Sequence, residues 1–168
     1  MNKDTIIYFL LITAFIIRIG FALYSYNLNI MESFQDDKYY MNIATHIMEN
    51  HPFAIDLSSS SKMNTVCHGL PWIMALFMSV FGSNWLLLFI INSIISTLTV
   101  YVFYLIGKEL FNRKIGIISA TIAIFYVQFL KYIPTAGKEP WVIFLFALFF
   151  YLFLNIIKIK NNIIYTLI

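Results

Sequence analysis

The sequence predicts an all-α, polytopic membrane protein with about four transmembrane helices, the start of a fifth, and two juxtamembrane helices in the first external loop. Three observations carry that expectation. Apolar residues make up 61% of the chain and charged residues only 11%, outside the range of soluble domains. The apolar residues gather into runs near the length that crosses a hydrocarbon core, about 20 residues in a helix. The few charges sit between those runs, and the basic ones favour one side.

The first run is 5–24. It contains Arg18 and is followed by no small-residue cleavage site, so it reads as a retained anchor rather than a signal peptide. Tyr24 and Tyr26 form an aromatic girdle at its end. The external loop, 27–84, begins too polar to span. Near 36–50, Tyr40, Ile43, Ala44, Ile47 and Met48 recur at helical spacing opposite Lys38, Asn42, Thr45, His46 and Glu49. That is an amphipathic helix for the membrane surface or the protein body. The serines of "IDLSSSSKMNT" indicate a flexible loop. "PWIMALFMSVFG" predicts a second helix near 71–81, with Pro71 in its first turn and Gly82 at its end. It is apolar throughout but about half the length of a span, and so belongs beside the membrane. The later spans fall near 85–106, 115–130 and 141–157, separated by "GKELFNRK" and "KYIPTAGKEP". "KIKNN" is expected as a further basic loop, and "IIYTLI" as the start of a fifth span.

Lys3, Lys108, Arg113, Lys114, Lys158 and Lys160 fall on one side of these spans; Lys38, Lys62, Lys131 and Lys138 fall on the other. The more basic side is expected in the cytoplasm. Asp36, Asp37 and Glu139 then share the extracytoplasmic face of the cell membrane. Cys67 is the single cysteine, which excludes an internal disulfide. No cysteine–histidine spacing suits zinc. Without a glycine-rich phosphate loop or a long basic tract, nucleic acid is not an expected partner.

Each polar residue has a structural reading beside any functional one. Ser33 and Asp36 fit a capping box, and acids at a helix start favour the positive end of its dipole. Asp36 and Asp37 flank the two edges of the apolar face of their helix, so the helical period orients neither inward. Glu139 before Pro140 is also a helix start, and Lys131 and Lys138 can be lysines snorkelling at span ends. Arg18 inside a span should face other helices, in a structural ion pair. Asn92, Ser96 and Thr99, with Ser93 and Thr97 beside them, indicate interhelical packing.

"DDKYYMNIA" resembles the signature that follows the first span of GT-C glycosyltransferases, in which two acidic residues precede a tyrosine and then an alanine. Asp36, Asp37, Tyr40 and Ala44 match it in order. "GLPWIMALFMSVFG" is similar to that family's second juxtamembrane helix, and "VFYLIGKELFNRKIGIISA" to its basic cytoplasmic turn. "GKEP" stands where its second external acid stands. The nearest branches are the protein O-mannosyltransferase-like and aminoarabinose-transferase-like enzymes. Cys67 and His68 stand where the family commonly has paired prolines.

The resemblance implies the N-terminal portion of a membrane glycosyltransferase. The donor would be a polyprenyl-phosphate-linked sugar, and the acceptor a hydroxyl of a glycan, lipid or protein. It makes Asp36 the general base and Asp37 its neighbour, which orients the acceptor or raises its basicity. Glu139, Lys138 and Tyr40 become substrate contacts, with Lys138 or Lys131 near the donor phosphate. One base and in-line displacement imply inversion at the anomeric carbon. The resemblance fixes no cofactor, and it allows a divalent cation on Asp36, Asp37 and Glu139. The competing reading is a non-catalytic membrane subunit, a transporter-like protein or an inactive truncated fragment. A transporter should carry ionisable groups and helix breaks at mid-membrane, where this sequence has Arg18 alone.

Overall fold

The computed structural model describes residues 5–28, 37–50 and 69–166. Their regular elements are helices: α1 (Thr5–Asn27), α2 (Asp37–Asn50), α3 (Gly69–Phe81), α4 (Trp85–Leu110), α5 (Arg113–Phe125), α6 (Val127–Lys131) and α7 (Glu139–Thr166). Among the described residues, α1, α4 and the Glu139–Lys158 part of α7 are long and apolar enough to cross a membrane.

Helix α4 is central and packs against α1, α5 and α7. Its buried face carries Asn92, Ser93, Ser96 and Thr99, small or polar groups that let neighbouring backbones approach. The Ser93 and Thr99 hydroxyls donate to the Phe89 and Ile95 carbonyls of their own helix, at 2.8 and 2.9 Å, so neither is left unpaired in the apolar interior. Helix α1 runs antiparallel to α4. Ala22 shares a core with Leu88 and Phe89 at one end, and Ile7 and Ala14 share another with Val100 and Tyr104. Asn112 caps α5, its Oδ1 accepting from the Ile115 amide at 3.1 Å. The α4–α5 crossing is close: a Cβ on Gly116 would lie 2.7 Å from the Tyr104 carbonyl oxygen. Lys158 meets Glu109 at 2.8 Å, so the α4 end that carries Lys108 and the later part of α7 lie on one side.

Helices α2 and α3 form a pair outside the long helices. Tyr40, Ile43, Ala44 and Ile47 of α2 are buried with Met74 and Met78 of α3, Leu88 and Phe89 of α4, and Ile133 and Ala136 of the loop before α7. The apolar face of the amphipathic helix is therefore buried against protein, while Met48 at its margin stays exposed. Gly82 ends α3 with φ +83°, and its amide donates to Met78 O at 2.8 Å. That conformation suits a residue without a Cβ.

The structure departs from the expected elements in two places. The stretch expected as a continuous span over 115–130 is interrupted at Tyr126, whose backbone is extended (φ −70°, ψ 109°) between α5 and α6. No glycine or proline causes this. In an unbroken helix the Ala123 carbonyl would accept the Val127 amide; here Arg18 Nη2 donates to it at 3.2 Å. Arg18 is fully buried, and also donates from Nε to Ser96 Oγ at 2.8 Å and from Nη1 to Ala14 O at 3.2 Å. Neutral oxygens thus take the place of the carboxylate expected to pair with it. Second, "KIKNN" is helical, because α7 continues unbroken to Thr166. Its lysines mark where apolar sequence ends, but nothing in the stretch stops a helix.

Candidate functional site

The buried core shared by α2, α3, α4 and the 132–138 loop brings the head of α2 against that loop. Asp37, the first residue of α2, is 1% exposed. Its edge of the apolar face is turned toward the protein. Asp36 lies outside the described residues, as does the Ser33 of the expected capping box.

On the other side, Ile133, Thr135 and Ala136 are buried, and the loop turns through Gly137 into α7. Glu139 occupies the first turn of α7, and the Val142 amide donates to Lys138 O at 2.9 Å, opening the helix. The favourable placement of an acid near the helix dipole is realised here. The Glu139 carboxylate does not point away, however. Its Oε2 is buried without a hydrogen-bond partner, and it occupies the point where a Cβ on Gly137 would be. Asp37 Oδ1 lies 3.2 Å from that same point. Two carboxylates from opposite ends of the chain thus converge over one glycine. A side chain at 137 would displace at least one of them.

The remaining expected site residues are distributed around this pair. Lys138 and Lys131 are exposed at the same loop. Tyr40, one turn along α2 from Asp37, is 2% exposed and packs in the shared core. Its position there fixes how α2 sits. Among the described residues no group of three or more His, Cys, Asp or Glu could hold a metal ion.

Two openings bear on ligands. A crevice of about 10 Å³ has Asn92, Thr135, Gly137 and Trp141 in its wall. That is room for about one water, and far below the roughly 300–1,000 Å³ of a small-molecule site. A wider groove of about 330 Å³ runs along the α5–α6 break, lined by Phe103, Ser119, Ile122, Ala123, Tyr126 and Phe129. It is almost wholly apolar, and neither carboxylate lines it.

Two residues of this arrangement were not singled out by the sequence as site residues. Gly137 had a weak signal, a glycine immediately before the Lys–Glu–Pro of the turn that leads into α7. Asn92, read as packing, donates from Nδ2 to both Ile133 O (3.2 Å) and Thr135 O (2.7 Å). Nothing in its spacing separates that task from ordinary helix contact.

The model of the dolichyl-phosphate-mannose-protein mannosyltransferase family matches residues 68–168. The match takes in α3 to α7, and with them Asn92, Gly137 and Glu139. No curated protein and no solved structure matches the chain.

Proposed function

The chain belongs to the dolichyl-phosphate-mannose-protein mannosyltransferase family, whose members are membrane glycosyltransferases that draw on lipid-linked sugars, and on that premise we propose a specific reaction for it. It moves a sugar from a polyprenyl phosphate to an acceptor hydroxyl at the extracytoplasmic face, with inversion. The observation that carries this reading is the convergence of Asp37 and Glu139 over Gly137, at the end of the bundle away from Lys108, Arg113, Lys114 and Lys158. Basic residues at the opposite end favour a cytoplasmic side there.

The chemistry needs little more than carboxylates and a cation. Asp36 accepts the proton of the acceptor hydroxyl as its oxygen attacks the anomeric carbon. The bond from that carbon to the donor phosphate breaks, and its electron pair leaves with the polyprenyl phosphate. A phosphate leaving group needs charge stabilisation more than a proton, and exposed Lys138 and Lys131 are suited to supply it. Asp37 and Glu139 orient the acceptor, and Tyr40 holds α2 so that its acidic head stays at the loop. The two converging carboxylates also fit a hard divalent cation as oxygen ligands, which would supply further positive charge beside the phosphate.

One pair of features favours a transporter instead: Arg18 inside a span and the break at Tyr126. They satisfy each other, since the Ala123 carbonyl at the break accepts from Arg18. Neither is left to bind an ion. The test of the transferase reading is transfer of labelled sugar from a polyprenyl-phosphate donor by the protein in membranes, with the anomeric configuration of the product read by NMR. A retained configuration would contradict the single-base displacement.

A further inference from the structure

Asn92 stands on the buried face of α4 and is 3% exposed. Its carboxamide nitrogen has two N–H groups, and both point at backbone carbonyls of the loop before α7: Ile133 O at 3.2 Å and Thr135 O at 2.7 Å. Those carbonyls lie on a non-helical segment whose residues are buried. Buried backbone outside a helix must find partners elsewhere. The Thr135 hydroxyl closes the turn from within, donating to Tyr132 O at 2.9 Å. Two residues beyond Thr135 comes Gly137, where Glu139 and Asp37 meet. A rigid central helix, a two-pronged amide, a buried turn and the carboxylate pair therefore form one connected series.

We propose that Asn92 is a positioning residue for sugar transfer, acting through the 132–138 loop to hold the Glu139 carboxylate against Asp37. The inference rests on the functional reading above and extends it to a residue that touches neither donor nor acceptor. Without the two prongs, the loop keeps its apolar contacts through Ile133 and Ala136 but loses what fixes its peptide planes. A displacement of about 1 Å at a reacting group can cost roughly 10²-fold in rate.

Asn92→Leu deletes both donors while keeping the number and branching of the side-chain heavy atoms. In the full chain in membranes, with a polyprenyl-phosphate-linked sugar as donor, it should lower kcat about 10–100-fold. The donor KM should rise as well, because Lys138 shares the loop, so the positioning role is read in kcat at saturating donor. Because Asn92 acts through Glu139, adding Asn92→Leu to Glu139→Gln should cost less than about twofold more. A nitroxide label at Lys138→Cys, with Cys67→Ser, supplies a readout independent of activity. Its motion should increase in Asn92→Leu, while a label at exposed Phe111→Cys stays unchanged. An unchanged spectrum at position 138, a wild-type kcat, or losses that multiply in the double variant would each overturn the proposal. Glu139→Gln at the wild-type rate would defeat the role of Glu139 in the functional reading, and with it this one. A chain without any transferase activity would defeat the functional reading and the catalytic part of this one together, whereas an unchanged label at 138 beside active enzyme would defeat this one alone.

Discussion

Glu139 Oε2 and Asp37 Oδ1 approach each other over the α-carbon of Gly137, although one belongs to the first turn of α7 and the other to the first residue of α2. Neither helix end alone distinguishes a catalytic acid from a favourable charge at the helix dipole. Their convergence on one glycine of the intervening loop is more than either helix start requires.

Gly137→Ala tests that convergence. The added Cβ would collide with the end of the Glu139 side chain and lie 3.2 Å from Asp37 Oδ1. Glu139 can swing away by a rotamer change, at about 1 kcal/mol, so thermal unfolding should move little. Sugar transfer should fall by at least about tenfold, because the carboxylate is no longer where the acceptor needs it. Equal activity and stability would mean that the carboxylates can separate without consequence.

Arg18 presents the opposite case, a residue whose removal should cost folding first. Its guanidinium serves Ser96, Ala14 O and Ala123 O in a site with no exposure. Arg18→Leu leaves those acceptors without that donor, at roughly 1–3 kcal/mol for a buried unsatisfied group. Ser96→Ala removes one hydroxyl and should cost about 1 kcal/mol. Reversible unfolding in mixed micelles measures both, and the arginine variant should be the less stable by a clear margin.

Two helical glycines should respond in opposite directions. A Cβ on Gly116 would meet the Tyr104 carbonyl at 2.7 Å and the Lys108 amide at 3.1 Å, backbone atoms that cannot turn aside. Gly116→Ala should force α4 and α5 apart and destabilise by about 1–3 kcal/mol. Gly20 in α1 has open space at its Cβ position, and Gly20→Ala should be neutral or stabilising by up to about 1 kcal/mol. The same unfolding measurement distinguishes them.

Much of the fold was legible because lipid and water impose strong patterns on sequence. The long apolar runs of α1, α4 and α7 and the amphipathic face of α2 follow from those patterns, and Gly82 ends α3 as its sequence suggests. The break at Tyr126 was not legible, since it depends on a guanidinium from a helix far away in sequence. Nor was the continuation of α7 through "KIKNN", because charge reports the membrane edge and not the helix end. At the site, the acids at the head of α2 and at Glu139 could be listed from their places in the chain. That Asp37 turns inward, and that Gly137 leaves room for two carboxylates, depends on packing between distant segments, which helical periodicity does not encode.

The central claim is that the acidic head of α2 supplies the base for transfer from a lipid-linked sugar, and substitution of Asp36 tests it most directly. Asp36→Asn keeps size and helix-capping ability but cannot take the acceptor proton. In the full chain, measured against Asp37→Asn, transfer from a polyprenyl-phosphate-linked sugar should fall about 10²–10⁴-fold, with donor binding nearly unchanged. Asp37→Asn should be milder. An Asp36→Asn protein that folds and transfers sugar at the wild-type rate would contradict the claim and leave helix capping as the reason for the acid there.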